Sequence, residues 1–228
     1  MGLEIIHTVN SGLYFRIGEQ VIFFDGLHDG KKYGFSDTPE IVLQQMEAES
    51  GAFACQTALV FTHCHADHYD KKLVERFMER HPGTRLISPA HGEKPEALKL
   101  GDFVLHAVPT IHQGRQEMQI EHYCYVLEAE GKNYVLCGDA LLSEDIVREI
   151  RRLASGHIHA VFLNIYHLFS EKEQRLIRQL EPISCCICHF PFPEDDVSGY
   201  RALAADAEHI GGIGKVRRLR PMESINFI

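Results

Sequence analysis

The apolar positions of the first 60 residues fall into short runs separated by glycine, asparagine and charged residues. The segments EIIHTV, GLYFRIG and QVIFFD fill most of the first 25 residues and predict a β-meander. Residues 31–37 are polar and contain glycine, which is typical of a loop. Helical spacing of apolar residues begins after Pro39, so a helix is predicted there with Asp37 or Thr38 as its cap.

The middle of the chain predicts strands with one helix between them. The apolar, β-branched run TALVFT at 57–62 is typical of a buried strand, and residues 71–80 have the apolar stripe of a helix. The segments TRLISP and FVLHAVPT predict two more strands. EHYCYVLEAEGKNYVLCGD predicts a hairpin whose turn is formed by Glu130, Gly131 and Lys132.

The second half of the chain alternates between helical and strand patterns. Helices are predicted at 143–153, 170–180 and 197–208, with the strands HAVFLNI and ISCCIC between them and a last strand at 215–219. Sheets covered by helices are therefore expected, in a layered α/β architecture. No linker or internal repeat interrupts the pattern, and we predict a single domain over residues 1–228.

Composition narrows the possible partners. The 228 residues carry a formal charge of −9, which argues against a nucleic-acid partner, and no run approaches the roughly 20 apolar residues that span a membrane. The short basic cluster Lys215, Arg217, Arg218 and Arg220 is interpreted as a solvated strand edge. Seven cysteines, mostly in apolar runs, are typical of reduced thiols in a cytoplasmic protein.

One segment stands out chemically, VFTHCHADHYD at 60–70, with three histidines and two aspartates. In an extended loop His63 and His65 project to the same side, while Asp67 and His68 follow on a turn and face a second point. Mixed imidazole and carboxylate donors suit zinc, manganese or iron better than calcium. A histidine-rich surface loop without metal is the alternative interpretation.

Further donors follow three other predicted strands. His112 ends VPTIH, Asp139 ends VLCGD and His189 ends CICH, each just past an apolar run. In layered α/β folds, sites are built where strands end. Taken alone, Asp139 is also a candidate cap for the helix predicted at 143–153.

Together these motifs resemble the metallo-β-lactamase superfamily, with similarity over nearly the whole chain to its ascorbate-lactone hydrolase and phosphodiesterase-like members. The resemblance implies an α/β fold, a four-layer αββα sandwich, with two divalent metal ions at the edge between its sheets. Zinc is the expected metal, and manganese and iron are alternatives. The implied ligands are His63, His65 and His112 for one ion and Asp67, His68 and His189 for the other, with Asp139 as the bridge.

Two assignments stay open at this stage. Either His112 or His122 can supply the third histidine of the first ion, and His112 is favoured because it follows a strand end. His122 then becomes a candidate to support the ligands from behind or to contact the substrate, and a half-exposed strand histidine without such a role is the alternative. Tyr166 and His167, after the strand HAVFLNI, are further candidates for substrate contact; packing under a loop is the alternative.

The implied function is metal-dependent hydrolysis of a small-molecule substrate. A hydroxide bridging two ions would attack an ester, lactone, amide or phosphodiester bond, and Asp67 would orient it and relay its proton. Alternatives are di-iron redox chemistry, a nuclease of the same fold, and a non-catalytic metal-binding module. Selectivity is expected in the loops 27–37 and 113–119, and neither the substrate nor the oligomeric state can be predicted from this sequence.

Overall fold

The computed structural model describes residues 2–54, 57–89, 97–114, 119–225 and 227. Within them, six strands form a first sheet in the order β14-β1-β2-β3-β4-β5. The strands β1 to β3 are antiparallel, as the predicted meander requires, whereas β3, β4 and β5 run parallel. Their bounds are β1 (Glu4–His7), β2 (Leu13–Ile17), β3 (Gln20–Phe24), β4 (Ala58–Val60), β5 (Arg85–Ile87) and β14 (Glu223–Ser224).

The second sheet has eight strands within the described ranges, in the order β10-β7-β8-β9-β11-β12-β13, with β6 paired to β7. Strands β7, β8 and β9 are antiparallel, and β9, β11, β12 and β13 are parallel. Their bounds are β6 (Leu98–Leu100), β7 (Phe103–His112), β8 (Glu121–Ala129), β9 (Lys132–Leu136), β10 (Ala140–Leu141), β11 (Ile158–Leu163), β12 (Ser184–Ile187) and β13 (Lys215–Arg218).

Helices cover the outer face of each sheet. The helices α1 (Glu40–Glu47) and α2 (Lys71–Arg80) pack on the first sheet. The second sheet is covered by α3 (Glu144–Leu153), α4 (Tyr166–Phe169), α5 (Glu171–Leu180) and α6 (Tyr200–Ala207). The order of layers is therefore αββα, which confirms the predicted fold class.

Strand alternation explains how each sheet is buried on both faces. On β2, Phe15 points into the core between the sheets, while its neighbour Tyr14 points toward α1 and α2. On β9, Tyr134 faces the first sheet and Val135 faces the helices of the second. Successive side chains of a strand point to opposite faces, so a continuous apolar run covers both sides and joins three core layers.

Two predictions about helix ends need correction. Neither Asp37 nor Thr38 caps α1: its N-cap is Pro39 with no side-chain cap, because the Thr38 hydroxyl bonds the backbone of residues 26 and 28 instead. The helix predicted at 197–208 begins at Tyr200, because Asp196 accepts hydrogen bonds from the first free N–H groups.

The turn of the β8-β9 hairpin has two residues rather than three. Lys132 already pairs with Ala129, and both Glu130 and Gly131 have positive φ, 51° and 69°. This geometry is that of a type I′ turn, whose twist matches the flanking strands. The pattern also missed the short elements β6, β10, β14 and α4, which carry too few residues for a periodic signal.

Other expectations have mixed outcomes. The basic cluster at 215–220 lies mostly on β13, the edge strand of the second sheet, as predicted. No helix among the described residues is long and apolar enough to cross a membrane. The single domain, the cytoplasmic location and the lack of a nucleic-acid partner stay predictions.

Candidate metal centre

The predicted donors meet at one edge of the two sheets. Residues 61–68 follow β4, His112 ends β7, Asp139 lies just after β9 and His189 just after β12. Because these strands end at the same edge, positions far apart in sequence come together there. The side chains form two groups of potential ligands, His63, His65 and His112 in the first group and Asp67, His68, Asp139 and His189 in the second.

In the first group, the ring nitrogens converge on one point. Nε2 of His63 lies 3.1 Å from Nδ1 of His65. Nε2 of His112 is buried and has no hydrogen-bond partner. A buried nitrogen without a partner is costly unless a ligand satisfies it, so the His112 ring is oriented as a metal ligand would be. The structure thus groups His112, rather than His122, with His63 and His65.

In the second group, the donors are equally close. Nε2 of His189 lies 2.9 Å from Nε2 of His68 and 3.1 Å from Oδ2 of Asp67. Oδ2 of Asp67 is also 3.7 Å from Nε2 of His68. Two ring nitrogens at such a distance repel each other unless a proton or a cation lies between them, so the geometry suits a bound cation.

Asp139 lies between the two groups. Its Oδ2 atom is 3.9 Å from Nε2 of His63 and 3.6 Å from Nε2 of His112, which belong to the first group. The same atom is 3.5 Å from Nε2 of His68 and 3.4 Å from Nε2 of His189, in the second. One carboxylate oxygen therefore faces four imidazoles from both groups, the position that the predicted bridge requires.

Hydrogen bonds behind the rings fix which nitrogen faces the centre. Thr62 donates its hydroxyl to Oδ2 of Asp25 at 2.7 Å and accepts from Nδ1 of His63 at 3.1 Å. Nδ1 of His68 donates to the same Asp25 atom at 2.9 Å, and Nδ1 of His112 donates to the carbonyl of Gln113. With the proton on Nδ1, each Nε2 keeps its lone pair for a metal.

Ionisation in the cluster favours a cation. Burial opposes ionisation of Asp139, but His189, His68 and His112 outweigh it and hold the pKa of Asp139 well below its usual value. Burial also opposes ionisation of Asp67, yet His68 and His189 lower the pKa of Asp67 to about 2. The two carboxylates are therefore ionised at neutral pH. Burial lowers the pKa of His68 and of His112, but nearby carboxylates, Asp25 for His68 and Asp139 for both, outweigh it and raise both pKa values. Bound divalent ions would replace these imidazole protons as partners of the carboxylates.

Two close approaches shape the loop that carries Asp139. Gly138 has a φ of 52°, and a Cβ there would lie 2.7 Å from Oγ1 of Thr62 and 3.0 Å from Nε2 of His122. Glycine is therefore required both for the left-handed backbone and for the space. Just after β12, His189 adopts a φ of 65°, which its N–H supports by donating to the carbonyl of Asn10 at 2.6 Å.

His122 does not fit the predicted substrate contact. It is buried, Nδ1 lies 2.7 Å from the hydroxyl of Thr110, and Nε2 accepts the N–H of Asp139 at 3.0 Å. Burial lowers the pKa of His122 to about 3, so the ring stays neutral and can accept that bond. By accepting the N–H of Asp139, His122 supports the loop behind the ligands, which is one of the alternatives predicted for this residue.

His167 is a second correction, because the structure leaves its ring no contact with a substrate. His167 is fully buried, with Nδ1 2.8 Å from Oδ1 of Asn164 and Nε2 2.9 Å from the carbonyl of Ala140, so no ring nitrogen is left for a substrate. Tyr166 is half exposed and lines a cavity of about 430 Å³ that also reaches His112 and Asp139. A substrate-binding role of Tyr166 stays a prediction.

A second cavity, of about 490 Å³, is lined by Tyr33, His65 and Asp67, among others. The two cavities place open volume beside both groups of donors. Of the loops predicted to carry selectivity, 27–37 contributes Tyr33 here; residues 115–118 of the other lie outside the described residues.

Sequence reasoning missed the residues that orient the ligands. Asp25, Thr62 and Asn164 make direct hydrogen bonds to His68, His63 and Asp139, respectively. A signal was present, because Asp25 and Asn164 each end an apolar strand, as the predicted ligands do. Strand position alone does not separate a ligand from the residue that orients it.

Comparisons with known proteins identify the fold. No family model and no curated protein sequence matches the chain. Among solved structures, it is similar to Igni18, described as a novel metallo hydrolase from the archaeon Ignicoccus hospitalis, at 16% identity and a TM-score of 0.65, with 99% of this chain and 98% of that chain covered.

Two further structures agree. The metallo-β-lactamase fold protein YhfI from Bacillus subtilis matches at 12% identity and a TM-score of 0.65, with coverage of 98% and 97%. An isothiocyanate hydrolase from Delia radicum gut bacteria matches at 14% identity and a TM-score of 0.63, with coverage of 98% and 99%. With its αββα layers, this chain therefore has the metallo-β-lactamase fold.

Proposed function

We propose that this protein is a metal-dependent hydrolase that holds two divalent ions. The observation that carries the proposal is the position of Asp139, whose Oδ2 lies within 3.9 Å of ring nitrogens from both donor groups. His63, His65 and His112 would hold one ion, and Asp67, His68 and His189 the other, with Asp139 shared. Zinc fits this donor set best, and manganese and iron also accept it.

The ions and Asp67 would have separate roles in the proposed hydrolysis. Two divalent ions in such a site supply a water of lowered pKa as nucleophile and polarise the bond under attack. Asp67, whose pKa is about 2, is ionised at neutral pH and would accept a hydrogen bond from the attacking water.

The substrate is proposed to be a small molecule with an ester, lactone, amide or phosphodiester bond. The cavities of about 430 and 490 Å³ beside the cluster are of the size that small-molecule sites have. Tyr166 would contact the substrate at the rim of the first cavity. The isothiocyanate hydrolase of the same fold adds one further electrophile to be tested.

The rival functions have less support. A nuclease is disfavoured by the charge of −9, which would repel a polyanion. A non-catalytic metal-binding module would be expected to lack one or more ligands, whereas all seven predicted ligand positions are filled and lie in the two groups. Retained zinc or manganese would exclude di-iron redox chemistry, whereas with retained iron the hydrolysis screen separates the two functions.

The test combines metal analysis with a hydrolysis screen on the purified protein. The probes are a lactone, a thioester, a β-lactam, a phosphodiester and an isothiocyanate, and the variants are Asp139→Asn and Asp145→Asn. Asp145 is an exposed aspartate of α3 and serves as the matched control. We expect two ions per chain and turnover that Asp139→Asn abolishes and Asp145→Asn retains. A protein that binds no metal, or turnover that survives Asp139→Asn, would overturn the proposal.

A further inference from the structure

Asn164 is a buried asparagine directly behind Asp139. It follows β11 and is 2% exposed. Its Nδ2 donates to Oδ1 of Asp139 at 2.8 Å, which is the carboxylate oxygen that does not face the histidines, and also to Oε1 of Gln113 at 3.1 Å. Because both partners are acceptors, the amide of Asn164 can face them only with its NH₂ group.

The other end of the amide is fixed as well. Oδ1 of Asn164 accepts from Nδ1 of His167 at 2.8 Å and from the backbone N–H of His167 at 3.3 Å. The far side of the His167 ring contacts the carbonyl of Ala140, the residue after Asp139, at 2.9 Å. A rotation of the Asn164 amide would therefore break bonds on both sides at once.

Gln113 closes this arrangement into a ring of hydrogen bonds. Its backbone N–H donates to the carbonyl of Asp139 at 2.7 Å, and its Nε2 donates to Oε2 of Glu173 at 3.2 Å. Glu173 is buried, and its Oε2 lies 3.5 Å from Nε2 of His167. The ring thus braces both the backbone and the side chain of Asp139 and includes none of the other predicted ligands.

We propose that Asn164 is a positioning residue that holds Oδ1 of Asp139, so that Oδ2 faces both donor groups. A carboxylate held at one oxygen can rotate only if that hydrogen bond breaks, so the bond to Asn164 keeps Oδ2 of Asp139 directed at both donor groups. The inference rests on the proposed two-ion site. It assigns the orientation of the bridge to a hydrogen-bond network outside the ligand set.

The two groups should respond differently to loss of Asn164. The first retains the three imidazoles of His63, His65 and His112, whereas the second depends on Asp139 as one of its four donors. We expect Asn164→Ala and Asn164→Asp to weaken binding of one ion by about 10- to 100-fold, the range typical of partners behind metal ligands. The other ion should stay bound. Asn164→Asp should have the larger effect, because it places a second carboxylate against Asp139.

The measurement is zinc content and the two zinc dissociation constants, obtained by competition with a chelator. Asn133→Ala is the matched control, since Asn133 is equally buried and its amide donates to the carbonyl of His157, away from the cluster. Thermal unfolding shows which variants are folded. If Asn164→Ala is not folded, Gln113→Ala opens the same ring more mildly and should weaken the same ion.

The outcomes separate the two proposals. Wild-type protein that binds neither zinc nor manganese nor iron overturns the proposed function and this inference with it. Two ions bound with unchanged affinities in folded Asn164 variants, or equal weakening in Asn133→Ala, overturn the positioning role alone. Loss of one ion in the Asn164 variants, with both retained in the control, supports it.

Discussion

A hydrogen bond of 2.9 Å joins Nδ1 of His68 to Oδ2 of Asp25, and both side chains are buried. The same carboxylate accepts the hydroxyl and the backbone N–H of Thr62, and the Thr62 hydroxyl in turn contacts His63. Asp25 therefore orients one histidine directly and another through Thr62, and these histidines belong to different donor groups.

Asp25→Asn should weaken metal binding although no ligand changes. The amide accepts fewer hydrogen bonds than the carboxylate, and it no longer makes the His68 ring a stronger metal ligand. We therefore expect a loss of about 10- to 100-fold in zinc affinity. Chelator competition measures it. Asp37→Asn changes an exposed carboxylate that accepts the N–H of Lys31 and also contacts Asp29, and it should leave the affinity unchanged. Unaltered affinity in Asp25→Asn would contradict the role of Asp25.

Removal of metal should destabilise the protein. Ions that bind only the folded state add about 2.7 kcal/mol to the free energy of unfolding at a concentration 100 times their Kd. For a chain of this size that corresponds to a rise in Tm of roughly 5 to 10 °C. The measurement is thermal unfolding of chelator-treated protein with and without added zinc. Asp139→Asn should show a smaller rise, and an unchanged wild-type Tm would argue against a metal site.

The buried histidine His7 should make stability depend on pH. Burial lowers the pKa of His7 to about 4, against 6.5 in an unfolded chain, so folding favours the neutral ring. Its stabilising contribution is complete above pH 6.5 and is lost as the pH falls toward 4, where the unfolded state binds the additional proton.

His7→Gln removes the imidazole ring that binds this proton in the unfolded state. Between pH 6.5 and 4 the unfolding free energy of the metal-free variant should fall less steeply than that of wild type, by up to about 1.4 kcal/mol per pH unit. Denaturant unfolding at several pH values gives the two slopes. The control is His209→Gln, at an exposed histidine, which should reproduce the wild-type slope. Parallel curves for wild type and His7→Gln would refute the assignment.

Tyr166→Ala should change substrate binding without changing metal content. Tyr166 lines the cavity beside His112 and Asp139, and its hydroxyl donates to that of Tyr200 at 3.3 Å. For a substrate found in the hydrolysis screen, we expect KM to rise about tenfold, the loss of roughly 1.4 kcal/mol of binding. Phe169→Ala removes an equally exposed aromatic ring of α4 that does not line that cavity, and KM should stay near wild type. Equal effects of both substitutions would sink the specific role of Tyr166.

Much of the fold was readable because its signals are local. The apolar run before His63 and the hairpin signal around Glu130 and Gly131 each depend on a few adjacent residues, although the predicted turn of three residues has two in the structure. The strand β10, with two residues, and the helix α4, with four, were missed because neither is long enough to show the period of its own element type. The start of α6 was misplaced because Asp196, a residue outside the helix, satisfies its first N–H groups.

The sequence by itself determined which donors are available, since His63, His65, Asp67 and His68 lie within six residues and further donors end later strands. Only the tertiary structure decided between His112 and His122, which both lie near the end of the β7-β8 pair but whose rings take different partners. It also placed His167 in the interior and brought Asp25 and Asn164 behind the ligands. The residue type determines what a side chain can donate or accept. Which atom it contacts depends on how segments that are distant in sequence pack together.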